Sequence, residues 1–358
     1  MKIIFILLTQ LLQTNAWWDA GHMLTAAVAY RTLNPAQIKE ANHLLTNLPG
    51  YTSFSSTFIS ASHWADDIKR NHDAYAFNSW HFIDFPFPNP ASCSINTVDE
   101  QNLVTALEDM RMNLQNSSLP GWTRAFALRF TIHMMGDAHQ PLHTVSRCTT
   151  KHPKGDAGGN LFKLNSSEYT NLHKLWDSMG GQYSKTIAAL CPYSNIKLCK
   201  ANEKKRVEAV IEEADRLILE YPADSFGTQL IQDRKVWNEN VLMEWAKSSY
   251  NIVQEGKVYG DIEEGSIPSS EYLAYVQKTT RERVALGGYR LAQLLNANLV
   301  TSDGSNGDGS TNGGFVFGIV LLTLICVGLI GSVVLLLMKI KRMGTNDSTS
   351  SSPPFNAL

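Results

Sequence analysis

Arg129-Phe-Thr-Ile-His-Met-Met-Gly-Asp-Ala-His-Gln-Pro-Leu-His143 is an apolar run carrying polar residues that packing alone does not call for. Its spacing predicts a helix, and His133 and Asp137, four residues apart, then lie on one face. Pro141 stops the helix near its preceding residue, so His143 turns back toward that face. Two imidazoles and a carboxylate aimed at one point make a ligand arrangement. A single His-x3-Asp pair is far more often a satisfied core pair than a metal site, so the weight rests on what accompanies it.

His173 and Asp177, in Asn-Leu-His-Lys-Leu-Trp-Asp, repeat the same spacing further along. Upstream, Ser62-His-Trp-Ala-Asp-Asp-Ile-Lys69 and Ser79-Trp-His-Phe-Ile-Asp84 add acids, histidines and tryptophans. Imidazole with carboxylate and no thiolate is the donor set of catalytic zinc. The best-placed donors are Asp66, His81, His133, Asp137, His143, His173 and Asp177, more than one ion can hold. The sequence therefore calls for several metals.

The pattern around these motifs is helical. Asn34-Pro35 is an N-cap followed by proline at the first helical position, opening a helix to about Leu48. Apolar residues recur at helical spacing over 99–114, 122–137, 202–220, 227–250 and 270–298. Strand signals are scarce, and Phe85 to Pro90, with three prolines, reads as an extended loop. No linker or composition break divides residues 17–299, so the expectation is an all-α fold with a single multi-helical ectodomain.

The two ends read differently. Residues 1–16, with Lys2, an apolar run from Ile3 to Leu12 and small residues at Thr14 and Ala16, read as a cleaved secretory signal, which makes Trp17 the mature N-terminus. Residues 300–314 form a Gly/Ser/Asp/Asn tether. Phe315 to Met338 is uncharged and long enough to span a hydrocarbon core of roughly 30 Å, and Lys339, Lys341 and Arg342 follow at once. The expected topology is a single-pass type I membrane protein of the secretory pathway, with residues 339–358 in the cytosol and the ectodomain at the surface or in a lumen. Cys93, Cys148, Cys191 and Cys199 are lumenal and allow three pairings, of which Cys93 with Cys148 and Cys191 with Cys199 is favoured; Cys326 lies in the membrane segment. Asn116 and Asn165 are glycosylation sequons on the lumenal side, while Asn346 falls in the tail.

Six blocks in order carry a family resemblance: Trp17-Trp-Asp-Ala-Gly-His22, Trp64-Ala-Asp66-x-x-Lys69, Trp80-His81-Phe-Ile-Asp84, His133-x3-Asp137-x5-His143, Gly158-Gly-Asn160 and His173-x3-Asp177. Together they resemble the secreted single-strand-specific zinc nucleases of fungi and the class I bifunctional nucleases of plants, which are also 3′-nucleotidases and share a fold with zinc-dependent phospholipases C. The resemblance implies three zinc ions in an all-α fold. Carried over by position, Asp66, His81, His133 and Asp137 would hold the first. His143, His173 and Asp177 would hold the second, and Trp17, through its α-amino group and carbonyl oxygen, would hold the third with His22 and Asp137. The same resemblance makes Phe82 a stacking platform for a base and gives Asp84 and Asn160 its edge.

The chemistry is coherent with these residues. Phosphodiester hydrolysis needs a nucleophile at neutral pH, charge neutralisation on the phosphoryl oxygens and a stabilised leaving oxygen, all of which clustered zinc supplies. Cleavage would leave 5′-phosphate products. Lys69, one turn beyond Asp66, adds charge stabilisation to the transition state. With 31 Lys and Arg against 33 Asp and Glu, the chain lacks the cationic excess of a typical nucleic-acid-binding module, so bound metal would provide the positive charge and stacking the recognition. No protein partner is implied.

The remaining candidates keep plainer readings. His43, His63, His72, His139 and His152 match no ligand position, and Trp64, Trp80 and Trp176 read as walls behind the ligands. The stretch from Cys148 to Asp156 reads as an insertion that reshapes the base pocket. Two rival functions remain open: a zinc-dependent phospholipase C, against which the Phe82, Asp84 and Asn160 set argues, and a non-catalytic surface binding protein on the same scaffold, against which the complete ligand set argues.

Overall fold

Two buried helices carry the structure, and their composition explains why. In the computed structural model, which describes residues 18–48, 55–71, 73–88, 93, 98–192, 195–230 and 237–301, helix α1 spans Asp19–Thr32 and helix α5 Gly121–Asp137. Each is buried over most of its length rather than along one stripe, as expected of helices at a core's centre. Between them in sequence come α2 (Pro35–Leu45), α3 (Trp64–Asn71) and α4 (Leu103–Gln115). After α5 come α6 (Leu172–Asp177), α7 (Ile196–Glu220), α8 (Glu239–Gln254), α9 (Lys257–Gly260) and α10 (Ser270–Asn298). Helix α1 packs on α10 and α7, and α5 packs on α4, α2 and α10. The α1–α10 crossing is close enough to need a glycine: a Cβ on Gly288 would sit 2.5 Å from the Cβ of Val28.

The aromatic side of α5 forms the wall behind the histidines. Phe130 meets Trp64 and Trp80 edge-on, with ring centroids 5.6 and 5.0 Å apart. At the far end of α5, the guanidinium of Arg283 on α10 donates to the His139 carbonyl, which satisfies a helix C-terminus with a cation. His139 is itself a satisfied core residue, its Nδ1 on the Met135 carbonyl and its Nε2 accepting from Arg290.

The fold is mostly helical, as the sequence predicts, with several boundaries corrected. Helix α2 ends at Leu45 rather than near Leu48, and α4 begins at Leu103 because Asn102 accepts from Val104 and Thr105 while Thr105 bonds back to Asn102. Helix α7 begins at Ile196, capped by Asn195, earlier than its apolar periodicity suggests. The helix expected over 227–250 is displaced: Gly227 has φ 50°, Asn238 caps a new start, and α8 runs Glu239–Gln254. Phe85–Phe87 is extended as expected, yet it is also a strand, β1, paired in parallel with β2 (Val145–Arg147), Pro86 standing opposite Ser146. A two-stranded sheet is all edge, which is where proline is tolerated.

Two disulfides form, Cys93–Cys148 and Cys191–Cys199, with Cα atoms 5.5 and 4.2 Å apart. Such bonds persist in oxidising compartments. Asn165 is exposed and Asn116 half-buried in a turn where its side chain accepts from Ser118. All of the described residues fall in one compact unit. The expected signal, Trp17, the tether beyond Thr301, the apolar segment 315–338, Cys326, the tail and Asn346 lie outside the described residues, as does His72. Among the described residues no helix is long and apolar enough to cross a membrane.

Candidate metal centre

Asp137, the last residue of α5, is completely buried and surrounded by imidazoles. Its Oδ2 lies 3.2 Å from His133 Nε2 and 3.2 Å from His81 Nδ1, while its Oδ1 lies 3.4 Å from His22 Nε2 and 3.8 Å from His143 Nδ1. Each histidine arrives on a different element. His133 comes from α5 one turn before Asp137, His22 from α1, His81 from the 3₁₀ turn Tyr75–His81, and His143 from the 3₁₀ turn Pro141–Thr144 that Pro141 opens.

Helix α6 completes the arrangement. His173 Nε2 is 3.3 Å from Asp177 Oδ2, and His143 Nε2 is 3.6 Å from Asp177 Oδ1. Helix α3 supplies Asp66, whose Oδ1 lies 3.7 Å from His81 Nδ1 and 3.0 Å from Lys69 Nζ. Three sets thus converge with ligand atoms within 4.8 Å of one another: His22, Asp66 and His133; His81, His133 and Asp137; and His143, His173 and Asp177. Every ligand residue expected from the sequence is in one of them except Trp17, which lies outside the described residues. Trp18 does show where the chain enters, because its N–H donates to the Asp177 carbonyl at 3.0 Å.

The hydrogen bonds orient the donors. His133 Nδ1 donates to the Ser62 carbonyl at 2.6 Å, His143 Nδ1 to the His81 carbonyl at 2.6 Å, and His173 Nδ1 to the Gly158 carbonyl at 2.7 Å. With Nδ1 carrying the proton, the Nε2 lone pair of each ring points inward, as a metal-binding histidine requires. Gln140, which sequence reasoning did not single out, is fully buried; its Nε2 donates to Asp177 Oδ1 at 2.7 Å while its Oε1 accepts from Leu142 N–H.

Electrostatics point the same way. Burial raises the Asp137 carboxyl, but His133, His143 and His81 outweigh it and hold the group well below the usual carboxylate range. Burial lowers the His143 imidazole, yet Asp137 and Asp177 raise it to about 9. His81 goes the other way, to about 4, through burial and the charge of Lys69. His22 Nδ1 and Nε2, His81 Nε2, Asp137 Oδ1, His143 Nε2 and Asp177 Oδ2 are buried without a hydrogen bond. Buried polar atoms are normally paired, and buried carboxylates demand cations, so this donor set fits bound divalent metal of the nitrogen- and oxygen-liking kind.

Beside the third set a small cavity is lined by Phe82, Asp84, Leu142, His143, Ala157, Gly158 and His173. Phe82 is half-buried, and the peptide that follows it is held at both ends, its carbonyl accepting from Leu103 N–H and the Ile83 N–H donating to the His143 carbonyl. Burial and the nearby Asp156 and Asp99 push the Asp84 carboxyl up to about 7, against the opposing pull of His143. Asn160 is 2% exposed, and its side-chain amide donates to the Ala157 carbonyl. His63 pairs with Asp67 at 2.6 Å and His43 is exposed, so neither joins the centre. Trp176 is fully buried with its Nε1 on Tyr272.

The profile of the S1/P1 nuclease family matches residues 17–300. Nuclease P1 of Penicillium citrinum is 29% identical over 167 residues, which cover 45% of this chain and 57% of that protein. Nuclease S1 of Aspergillus oryzae is 29% identical over 184 residues, 49% of this chain and 60% of that protein. Endonuclease 1 of Arabidopsis thaliana is 24% identical over 310 residues, 81% of this chain and 90% of that protein. The matched stretch therefore spans little more than half the length of the fungal nucleases.

Proposed function

The chain belongs to the S1/P1 nuclease family, and we propose that it is a zinc-dependent phosphoesterase. In this reading it hydrolyses single-stranded DNA or RNA to 5′-phosphate products and removes the 3′-phosphate of 3′-nucleotides. The observation that carries this is the convergence of three buried His/Asp sets, with an aromatic and a carboxyl lining the adjoining cavity.

Asp66, His81, His133 and Asp137 would hold one zinc, His143, His173 and Asp177 a second, and Trp17, His22 and Asp137 a third. Bound zinc supplies Lewis acidity toward a phosphoryl group and makes water ionisable near neutral pH. The protein residues do the rest. In this reading Asp137 would be a ligand common to the first and third ions, while His133 belongs to two of the three converging sets. Lys69 sits one turn beyond Asp66 with its ammonium at the edge of the centre, where it would offset the charge that develops on a phosphoryl oxygen. Phe82 would stack a base that is free of a duplex, and Asp84 would accept or donate at the base edge. The near balance of charges over the whole chain agrees with recognition by metal and stacking rather than by a basic groove.

In the same reading residues 1–16 are removed on secretion, and 315–338 anchor the domain to a membrane by way of the 300–314 tether, an arrangement that rests on the sequence pattern alone. Purified ectodomain assayed on single-stranded DNA, 3′-AMP and phosphatidylcholine, each with and without chelator, tests the assignment. Chelator-sensitive turnover of the first two is expected. Preferential turnover of phosphatidylcholine would assign a phospholipase instead, and no turnover of any would leave a binding protein.

A further inference from the structure

We propose that Asp156 is the positioning residue of the His173 arm of the centre: its carboxylate fixes the turn whose carbonyls aim the His173 imidazole at Asp177. The inference rests on the metal reading of His143, His173 and Asp177.

Asp156 is 1% exposed, and its Oδ1 accepts three hydrogen bonds from three separate segments. They come from Arg147 N–H of β2 at 2.9 Å, Gly159 N–H of the turn at 3.1 Å and Tyr259 Oη of α9 at 3.2 Å. The turn it ties down needs tying. Ala157, Gly158 and Gly159 follow one another at φ 53, 60 and 80°, a conformation that is strained for the Cβ-bearing Ala157.

What the strained turn achieves is the grip on His173. The Gly158 carbonyl accepts from His173 Nδ1 at 2.7 Å, and the Gly159 carbonyl accepts from His173 N–H at 3.4 Å. Gly158 also lies so close to the chain before His143 that a Cβ there would be 2.2 Å from the Leu142 carbonyl oxygen. Remove the acceptor at Asp156 and the turn relaxes toward ordinary dihedrals, withdrawing the carbonyl that fixes which His173 nitrogen bears the proton. Asp156 touches neither substrate nor metal in this account; it acts through His173.

The test uses zinc-loaded ectodomain carrying Asp156→Ala, Asp156→Asn or Tyr259→Phe, equilibrated against graded chelator, with zinc release counted per chain and folding checked by near-ultraviolet circular dichroism. Outer partners of ligating histidines carry about 10- to 100-fold in metal affinity, so Asp156→Ala should release one zinc equivalent at a chelator strength about tenfold lower. Asp156→Asn keeps an oxygen for the same three donors and should stay within about threefold of wild type, with Tyr259→Phe between the two. A folded Asp156→Ala protein with the wild-type release curve overturns the inference alone, as does Asp156→Asn behaving like Asp156→Ala. If Asp156→Ala does not fold, Tyr259→Phe decides: an unshifted curve overturns the inference and a shifted one supports it. A wild-type chain that binds no zinc overturns both this inference and the function it rests on.

Discussion

His22 lies face to face with His133, ring centroids 3.9 Å apart and planes 17° from parallel, and both rings are completely buried. Two imidazolium ions would not share that arrangement. Burial and the charge of His133 hold His22 well below the usual histidine range, whereas burial opposes protonation of His133 but Asp137 raises it. His22 is thus a neutral ring, sealed from water, with neither nitrogen hydrogen-bonded. A buried neutral ring with a free lone pair is suited to ligate a cation.

If Asp137 joins two of the metals, Asp137→Asn should lower kcat on the order of 10³-fold, the scale set by removing a charged group from a preorganised site. Phe82→Ala should leave kcat nearly intact and raise KM about tenfold, from the loss of one stacked base. Steady-state kinetics on a short single-stranded oligonucleotide separate the two, and similar defects in both parameters for both variants would mean the roles are misassigned.

Trp18 N–H donates to the Asp177 carbonyl, and His22 stands 3.4 Å from Asp137; in the proposed reading Trp17 would add its α-amino group to these. A free α-amino group at Trp17, with a pKa of about 8, can yield its proton to zinc near neutral pH, whereas the amide nitrogen of an uncleaved chain cannot. An ectodomain with one extra residue ahead of Trp17 should therefore hold one zinc fewer and lose most of its turnover. Full zinc content and wild-type rate in the extended protein would remove Trp17 from the centre.

Asp84 makes a prediction about pH. Its folded value is raised from 3.8 to about 7, mainly by burial and then by Asp156 and Asp99, so the folded state binds this proton more tightly than the unfolded state. Its contribution to stability is therefore greatest below about pH 4, declines as pH rises from there to about 7, and is a constant cost above that. Relative to wild type, Asp84→Asn should gain up to about 2 kcal/mol between pH 4.5 and 8, solvent access at the cavity mouth reducing the full effect. Parallel melting curves of the two proteins read this directly; a difference that does not change with pH would contradict it.

Much of the centre could be read from the sequence because His133–Asp137 and His173–Asp177 are helical i, i+4 pairs, where spacing alone sets direction. The long helix α10 was equally legible from the apolar residues that recur on either side of the polar run 277–283, although Thr280 and Arg283 are the buried positions within that run. Asp156 and Gln140 were not, because each acts through hydrogen bonds to segments far away or to a tight turn, and neither leaves a periodic trace. The β1–β2 pairing was hidden for a similar reason: three residue pairs joined in parallel, each 60 positions apart in sequence (Phe85 with Val145), carry no local signal, and Pro86 in the first strand argues for a loop. The start of α8 went wrong where periodicity ran through Gly227, while a cap at Asn238 decided the boundary.

The central claim is that Asp137 and its surrounding histidines hold a cluster of zinc ions, and the zinc content of the folded ectodomain tests it most directly. Elemental analysis of correctly processed protein, purified without chelator and dialysed against metal-free buffer, should find three zinc ions per chain, falling to two or fewer in His22→Ala. One zinc ion or none in a folded, correctly processed chain would contradict it.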